Sequence, residues 1–525
     1  MSYKKLSYKK KQPNSNQKNE VIKSSGNSLT QDLKENLERI QETLGNSSDI
    51  VVREFYAGKY GQMHIGIVYV DGLIDKNIVQ RFILEALMLN LREAELDSTV
   101  FLQENELQVL KKAVLPAGEV KEIVDFNELF LHLLSGDTIV IINGVSRGMA
   151  IGTKGWTDRG IEEPGSESVV RGPRDGFTET LRTNTALLRR RIRDPNFWIE
   201  TRRLGRRTKT DVSIAYIKGV ASDRVVQEVH RRLDSIDIDA VLESGYIEEF
   251  VQDAPYSLFP TIYNTERPDK VVSAILEGRV AILVDGTPFV LLVPVVFIQF
   301  FQASEDYYHR FDISTLIRLL RFMCFFLALL VPSFYVAATT FHQEMIPTTL
   351  LVSIAAQREG VPFPAAVEAL LMEISFEILR EAGIRLPRAV GSAISIVGAL
   401  VLGEAAVRAG IVSPAMVIVV SVTAISNFVS PAFNMAMSIR ILRFLFLILA
   451  STFGLFGIVL GLIAMVLHLC GLSSFGVPYM SPMAPLIMQD QKDAMVRLPR
   501  FGVFKRPNFI RGNDAVRGRN PGNRK

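Results

Sequence analysis

Cysteine, tryptophan and histidine are scarce: two, two and six in 525 residues. Cys324 and Cys470 are the only cysteines, and both lie in apolar segments. They read as small buried apolar residues, and no disulfide framework or cysteine-based zinc site is expected. The histidines are scattered, and none shows the His-x-x-x-His spacing of a metal-binding helix. Residues 148–155 resemble a phosphate loop in composition but lack its spacing, and read as a loop between strands. No catalytic constellation remains, so no enzyme, metal or cofactor is expected. The first eleven residues carry no apolar core, which argues against a secretory signal and predicts a cytoplasmic front.

What is abundant is apolar sequence. Mean hydropathy is +0.21, high for a soluble chain of this length. The apolar residues are unevenly spread, and six regions follow: a disordered basic tail over 1–28, α/β subdomains over 29–165 and 210–310, an arginine-rich helical connector over 166–209, a membrane domain over 311–472 and a basic cytoplasmic tail over 473–525. The expected fold class is a soluble α/β region of two related subdomains followed by an all-α, multi-pass membrane domain.

The two subdomains are related by an internal repeat. Tyr69, Gly72, Val79 and Gln80 recur as Tyr216, Gly219, Val226 and Gln227 at a constant offset. Further on, Gly136 and Asn143-Gly144 recur as Gly278 and Asp285-Gly286. The repeat decides an ambiguous case. Val280 to Val296 is apolar enough to suggest a first membrane helix, but its counterpart lies within the soluble part. Asp285-Gly286 therefore reads as a hairpin turn between buried strands. Between the halves, Arg182, Arg189, Arg190 and Arg193 crowd a helix that ends at Asp194-Pro195. No recognition motif for nucleic acid accompanies it, so ion pairing and subunit assembly are the expected roles.

Four spans are predicted: Leu319–Thr340, Arg388–Ala409, Pro414–Ser430 and Ile441–Leu469. The last, at about 29 residues, must tilt or extend beyond the bilayer. Pro332 predicts a kink in the first. The segment Pro364 to Ala382 gathers Glu368, Glu373, Glu377, Arg380 and Glu381 on one face and apolar residues on the other. That pattern suits a helix at the membrane surface or beside a wet vestibule. An even count of spans puts both termini on one side, and the basic tail favours the cytoplasm, which leaves Arg440 and Arg443 outside, against the positive-inside rule.

The second span has two faces. At about 100° per residue, Val390, Ile394, Val397, Val401, Glu404 and Arg408 share one. Ser392, Ser395, Ala399 and Gly403 lie opposite and suit close helix packing. Two readings of the first face stand. In one it meets lipid or another helix, and Glu404 pairs with Arg408. In the other it lines a pore, with Val397 and Val401 as a hydrophobic constriction, Glu404 as a charged ring at its mouth, and Ile394 and Arg408 in the lining.

Several longer motifs resemble one family. They are Phe177 to Ile192, Val280 to Phe289, Pro332-Ser-Phe-Tyr-Val-Ala337, Phe341-His-Gln-Glu-Met-Ile-Pro-Thr348, Leu386 to Val401 and Phe475-Gly-Val-Pro-Tyr479. From about residue 50 to 510 the chain resembles the A subunit of GerA-type spore germination receptors of endospore-forming bacteria. The resemblance implies a multi-pass protein of the spore inner membrane. It also implies work with a transporter-like B subunit and a lipoprotein C subunit, and homo-oligomeric assembly into a nutrient-gated ion channel. A secondary transporter and a non-conducting scaffold are the alternatives. The nutrient, ring size and ion selectivity are not written in the sequence.

Overall fold

Six glycines with left-handed φ set the turns of two sheets built alike. The computed structural model describes residues 27–57, 61, 63–84, 120–155, 163–165, 167, 169–385, 403–510 and 512–518. The chain forms two compact bodies, one of residues 1–40, 51–70 and 74–155, the other of residues 41–50, 71–73 and 156–525.

The first body holds α1 (Leu33–Thr43, whose last turn belongs to the second body), β1 (Ile50–Ala57), β2 (Met63–Val70), β3 (Val120–Ile123), α2 (Phe126–Leu133), β4 (Asp137–Ile142) and β5 (Gly148–Gly152). The strand order is β1-β2-β4-β5-β3. The second body opens with α3 (Leu181–Arg191), β6 (Phe197–Leu204), β7 (Thr210–Ile217), α4 (Asp223–Asp234), α5 (Ser244–Val251), β8 (Tyr263–Thr265), α6 (Pro268–Glu277), β9 (Val280–Val284) and β10 (Val290–Val293). Its order is β6-β7-β9-β10-β8, the same pattern five strands on.

The register agrees as well as the order. Ile65 pairs with Ile142 in the first sheet, and Val212 pairs with Val284 in the second. These are the partners that the repeated sequence aligns. The turn glycines match in pairs: Gly72 and Gly219 (φ 91° and 83°), Gly136 and Gly278 (92° and 106°), Gly144 and Gly286 (both 92°). A Cβ is disfavoured at such angles, which explains why glycine marks the repeat. Val280 to Val293 forms the expected buried hairpin, with Leu291 opposite Ile282.

The repeat begins earlier than the sequence suggested. Asn36 accepts from Thr30 N–H and donates to Thr30 O; Asn184 does the same with Thr178. Asn143 caps Leu33 N–H, and Asp285 caps Leu181 N–H. The arginine-rich helix α3, expected as part of a connector, therefore holds the place in the second sheet's chain path that α1 holds in the first.

The helical part follows. It comprises α7 (Phe311–Thr340), α8 (Thr348–Arg358), α9 (Ala365–Arg385), α10 (Gly403–Arg408), α11 (Pro414–Phe428) and α12 (Phe433–Gly471). Two of these, α7 and α12, are long and apolar enough to cross a membrane. The predicted span Leu319–Thr340 lies within α7, which continues through Pro332. The predicted span from Pro414 is a helix of 15 residues, short of the roughly 20 that a bilayer requires. Most of the span predicted over 388–409 lies outside the described residues.

Helix α12 corrects the fourth predicted span. Gly454 breaks it at φ 60°, ψ −141°, outside helical space. A Cβ on Gly461 would stand 2.8 Å from Phe446 Cε1, although a straight helix separates these residues by about 22 Å. Ser438 Oγ donates to Leu258 O, and His468 Nε2 lies 2.8 Å from Ser257 Oγ, so both ends meet one loop. The segment is a hairpin of two antiparallel arms, 433–453 and 455–471, and not one tilted span. Its tip packs on the far end of α7, where Phe341 and His342 press on Gly454.

One apolar core runs from the second sheet into this bundle. Leu283 and Leu292 of the sheet, Phe297, Phe300 and Phe301 of the linker, Phe325 and Leu329 of α7 and Met435 and Phe446 of α12 all belong to it. Edge-to-face ring pairs such as Phe297–Phe325 join linker to helix. The segment after residue 472, expected as a tail, docks back onto the same body: Gly512 N–H donates to Val220 O at 2.7 Å and Arg506 Nε to Leu276 O at 2.8 Å.

At the junction of sheet and hairpin, Asn434 Nδ2 donates to Glu248 Oε1 at 3.3 Å. Burial pushes the Glu248 carboxyl from 4.5 up to about 7, with Glu243 adding to the rise and Asn264 opposing it. The folded state thus holds this proton more tightly than the unfolded chain does. Its contribution to stability is greatest below about pH 4.5 and is lost as the pH rises towards 7. We expect the melting temperature of the full chain to fall across that window and Glu248→Gln to flatten the fall; an unchanged profile in the variant refutes the assignment.

Candidate functional site

A buried charged seam between α9 and the first arm of α12 is the strongest candidate. Every third or fourth residue of α9 faces the bundle, which brings Ala365, Glu368, Ala369, Met372 and Glu373 inside. Leu370, Ile374 and Ile378 are exposed on the other side. Of the carboxylates expected on one face, Glu368, Glu373 and Glu377 turn inward and Glu381 stays exposed, while the apolar face turns outward rather than onto protein. The amphipathic pattern was correct, but periodicity does not say which face meets protein.

Facing α9, Arg440 and Arg443 lie on one side of α12 three residues apart, as helical neighbours do. Arg443 is 1% exposed, and its Nη2 lies 2.6 Å from Glu373 Oε2 and 3.1 Å from Glu377 Oε1. Arg440 Nε donates to the same Glu377 Oε1 at 2.9 Å, and its Nη2 reaches Oε2. Glu377 is therefore shared by two guanidiniums. Arg380 lies 5.5 Å from the Phe428 ring centroid. Among the described residues, Arg443 Nε and Nη1, Arg380 Nη1 and Asn427 Oδ1 are buried without hydrogen-bond partners. Unmet polar atoms among apolar helices mark a place for water or ions to engage.

One turn towards the far end, Glu368 is fully buried. It accepts from Ser413 N–H at 3.0 Å and Ser413 Oγ at 2.9 Å, and Arg358 Nε donates to it at 3.2 Å. Ser413 is the N-cap of α11, so this carboxylate holds the start of that helix. Seven ionisable side chains, Glu368, Glu373, Glu377, Arg358, Arg380, Arg440 and Arg443, thus gather along α9.

The sequence assigned Arg440 and Arg443 to the outside of the membrane, in breach of the positive-inside rule. That assignment rested on four spans; in the structure both arginines are counter-charges to Glu373 and Glu377. The signal was present: two acids at i, i+4 on one apolar segment and two arginines at i, i+3 on another.

The residues singled out in sequence are dispersed. Ile394, Val397, Val401, Ser392, Ser395 and Ala399 lie outside the described residues. Gly403 is buried, with Val417 Cγ1 3.7 Å from where a Cβ would stand. Glu404 and Arg408 are exposed and pair with each other at 2.5 Å. Of the arginines on and after α3, Arg182 pairs with Asp71 and Arg193 is exposed. Arg190 is half-buried. Arg189 departs from its expected role in assembly. It is fully buried, grips Asp49 through Nε (2.7 Å) and Nη2 (3.0 Å) and donates to Phe197 O at 2.6 Å. A guanidinium so enclosed offers no exposed surface to another subunit.

Comparison with known proteins places these features in a family. Residues 38–509 match the model described as Bacillus/Clostridium GerA spore germination protein. Spore germination protein KA of Bacillus subtilis (strain 168) is 50% identical over 489 residues, 93% of this chain and 88% of that protein. The uncharacterized membrane protein YfkQ of the same organism is 47% identical over 92% of this chain and 93% of its own. A crystal structure of the N-terminal domain of the A subunit of the Bacillus megaterium spore germinant receptor GerK3 aligns at 41% identity and a TM-score of 0.42, covering 52% of this chain and 98% of that one. The chain belongs to the GerA family of spore germination proteins.

Proposed function

We propose that this chain is the membrane subunit of a nutrient germinant receptor and that its helical part conducts ions when the receptor fires. In this reading it sits in the spore inner membrane as a multi-pass protein, its two sheets in the cytoplasm. It assembles with copies of itself, a transporter-like B subunit and a lipoprotein C subunit. Arg182, Arg190 and Arg193 are proposed contacts in that assembly.

The observation that carries the reading is the seam of Glu373, Glu377, Arg440 and Arg443 inside helices whose outer faces are apolar. Ionisable groups within an apolar bundle are costly and characteristically serve ion or proton movement. Glu377, shared by two arginines, can change partner at little cost when a neighbouring helix moves, as a gate requires. Val397 and Val401 remain the proposed constriction and Glu404 the charged ring at its mouth, with Ile394 and Arg408 in the lining.

The test is ion release from spores carrying full-length variants. Glu377→Gln is expected to slow nutrient-triggered ion release per receptor, with receptor abundance measured alongside. Val397→Ala is expected to release ions without nutrient. Normal release in both variants, together with no conductance from the complete receptor in liposomes, would replace the channel with a non-conducting scaffold.

A further inference from the structure

A second polar site lies in the sheet-bearing part of the same body, away from the charged seam. It is a cleft of about 540 Å³ between α6, the linker 302–308 that leads into α7 and the docked C-terminal segment 493–518. That volume suits a small-molecule ligand. Its charges do not balance. Arg279 Nη2 and Arg517 Nη2 share one carboxylate, Glu277, at 3.2 Å each. Arg497 donates to the carbonyl of His309 and the hydroxyl of Ser314, both neutral. Among the described residues, Arg500 has no carboxylate within ion-pair distance, and its side chain is exposed. The two other carboxylates that line the cleft are engaged by arginines outside it: Asp269 by Arg267 and Asp493 by Arg318. Of the other cations in the lining, Arg191 pairs with Asp175 and Lys270 with Glu167, so the remaining four guanidiniums, of Arg279, Arg497, Arg500 and Arg517, share the one carboxylate of Glu277.

The cleft also holds unmet hydrogen-bonding capacity. Arg279 is 8% exposed, and its Nε has no partner. Ser304 Oγ, across the cleft in the linker, is buried and unpartnered too. A buried donor left unpaired costs about 1–3 kcal/mol, so these groups fit a site completed by a bound acceptor. The excess of positive charge selects an anion, and the forked geometry of guanidinium selects a group with several oxygens. Tyr263 and Phe504 supply apolar wall beside the arginines.

We propose that this cleft binds a phosphate-bearing anion through Arg279, Arg497, Arg500 and Arg517. The ligand would bridge three parts of the chain: the second sheet through α6, the linker that starts α7 and the C-terminal segment. Its occupancy would thus tie the sheet to the first long apolar helix. The same chemistry is offered by a lipid headgroup and by a free phosphate or phosphomonoester.

The experiment uses full-length protein in nanodiscs and reads the unfolding midpoint and affinity at matched ionic strength. One arm adds inorganic phosphate to phosphatidylcholine nanodiscs, with chloride as control. The other replaces phosphatidylcholine with phosphatidylglycerol. Arg500→Ala and Arg517→Ala, both at the accessible edge, are compared with the parent. Stabilisation by phosphate assigns a free ligand, and stabilisation by phosphatidylglycerol alone assigns a headgroup. In either case each variant is expected to weaken binding by about tenfold, the equivalent of one charge-assisted hydrogen bond. No stabilisation in either arm, or stabilisation that persists in both variants, overturns the proposal.

Discussion

Arg443→Ala is expected to destabilise the helical part by about 3–5 kcal/mol, because it leaves Glu373 buried without its cation. The magnitude follows from asymmetry. Removing one member of a buried pair leaves an uncompensated charge, whereas removing both leaves apolar surface. Glu373 is 1% exposed, as is Arg443, so neither can turn to solvent within the fold. Arg440 cannot substitute, since its guanidinium is already committed to Glu377. Receptor abundance in spores and thermal unfolding of the purified chain should both fall steeply. Arg443→Met combined with Glu373→Leu removes both charges and is expected to recover most of the stability. Nutrient-triggered ion release then separates two roles. A pair that only holds the bundle restores release along with stability; a pair that belongs to the conduction path restores stability alone. A single variant as stable as the parent would show that Arg443 and Glu373 are not buried partners.

The two sheets were legible because their repeat is written in residues with narrow tolerances. Gly72 and Gly219 occupy left-handed turns that other residues resist, and Tyr69 and Tyr216 end matching strands on one face. Two apolar strands joined by Asp285-Gly286 resembled a membrane helix in hydropathy, and only the comparison with residues 138–151 reclassified them. The extension of the repeat into α3 was hidden because arginine density dominates that segment. The conserved geometry there rests on Asn184 and Thr178, a short polar pair that composition does not reveal. The seam was half legible. Periodicity put Glu368, Glu373 and Glu377 together, but a helix in an apolar surrounding inverts the rule learned from soluble proteins, and its charged face turns inward. Arg189 shows the converse: in sequence it is one more cation in a run, and only its bidentate grip on Asp49 separates it from Arg190.

Gly454 was illegible for a different reason. Small residues are common in apolar helices, and hydropathy is continuous across 433–471, so nothing in composition marks a reversal. The backbone makes the requirement explicit. At φ 60° and ψ −141° a residue with a Cβ is strained by about 1–3 kcal/mol, and a Cβ there would also lie 2.9 Å from His342 Cε1 and 3.0 Å from Phe341 Cβ. Gly454→Val, with a branched side chain, should therefore abolish the hairpin, while Gly454→Ala weakens it. Cross-linking gives a direct readout. With Cys324 and Cys470 replaced by alanine, Phe446→Cys and Gly461→Cys place thiols on facing positions of the two arms, where the Phe446 ring lies against the Gly461 backbone. In a straight helix those positions stand about 22 Å apart, far beyond disulfide reach. The cross-link should form in the Gly454 parent and be lost with Gly454→Val. Its absence in the parent would restore a single long helix, and with it the topology in which residues 433 and 471 lie at opposite ends of the bundle.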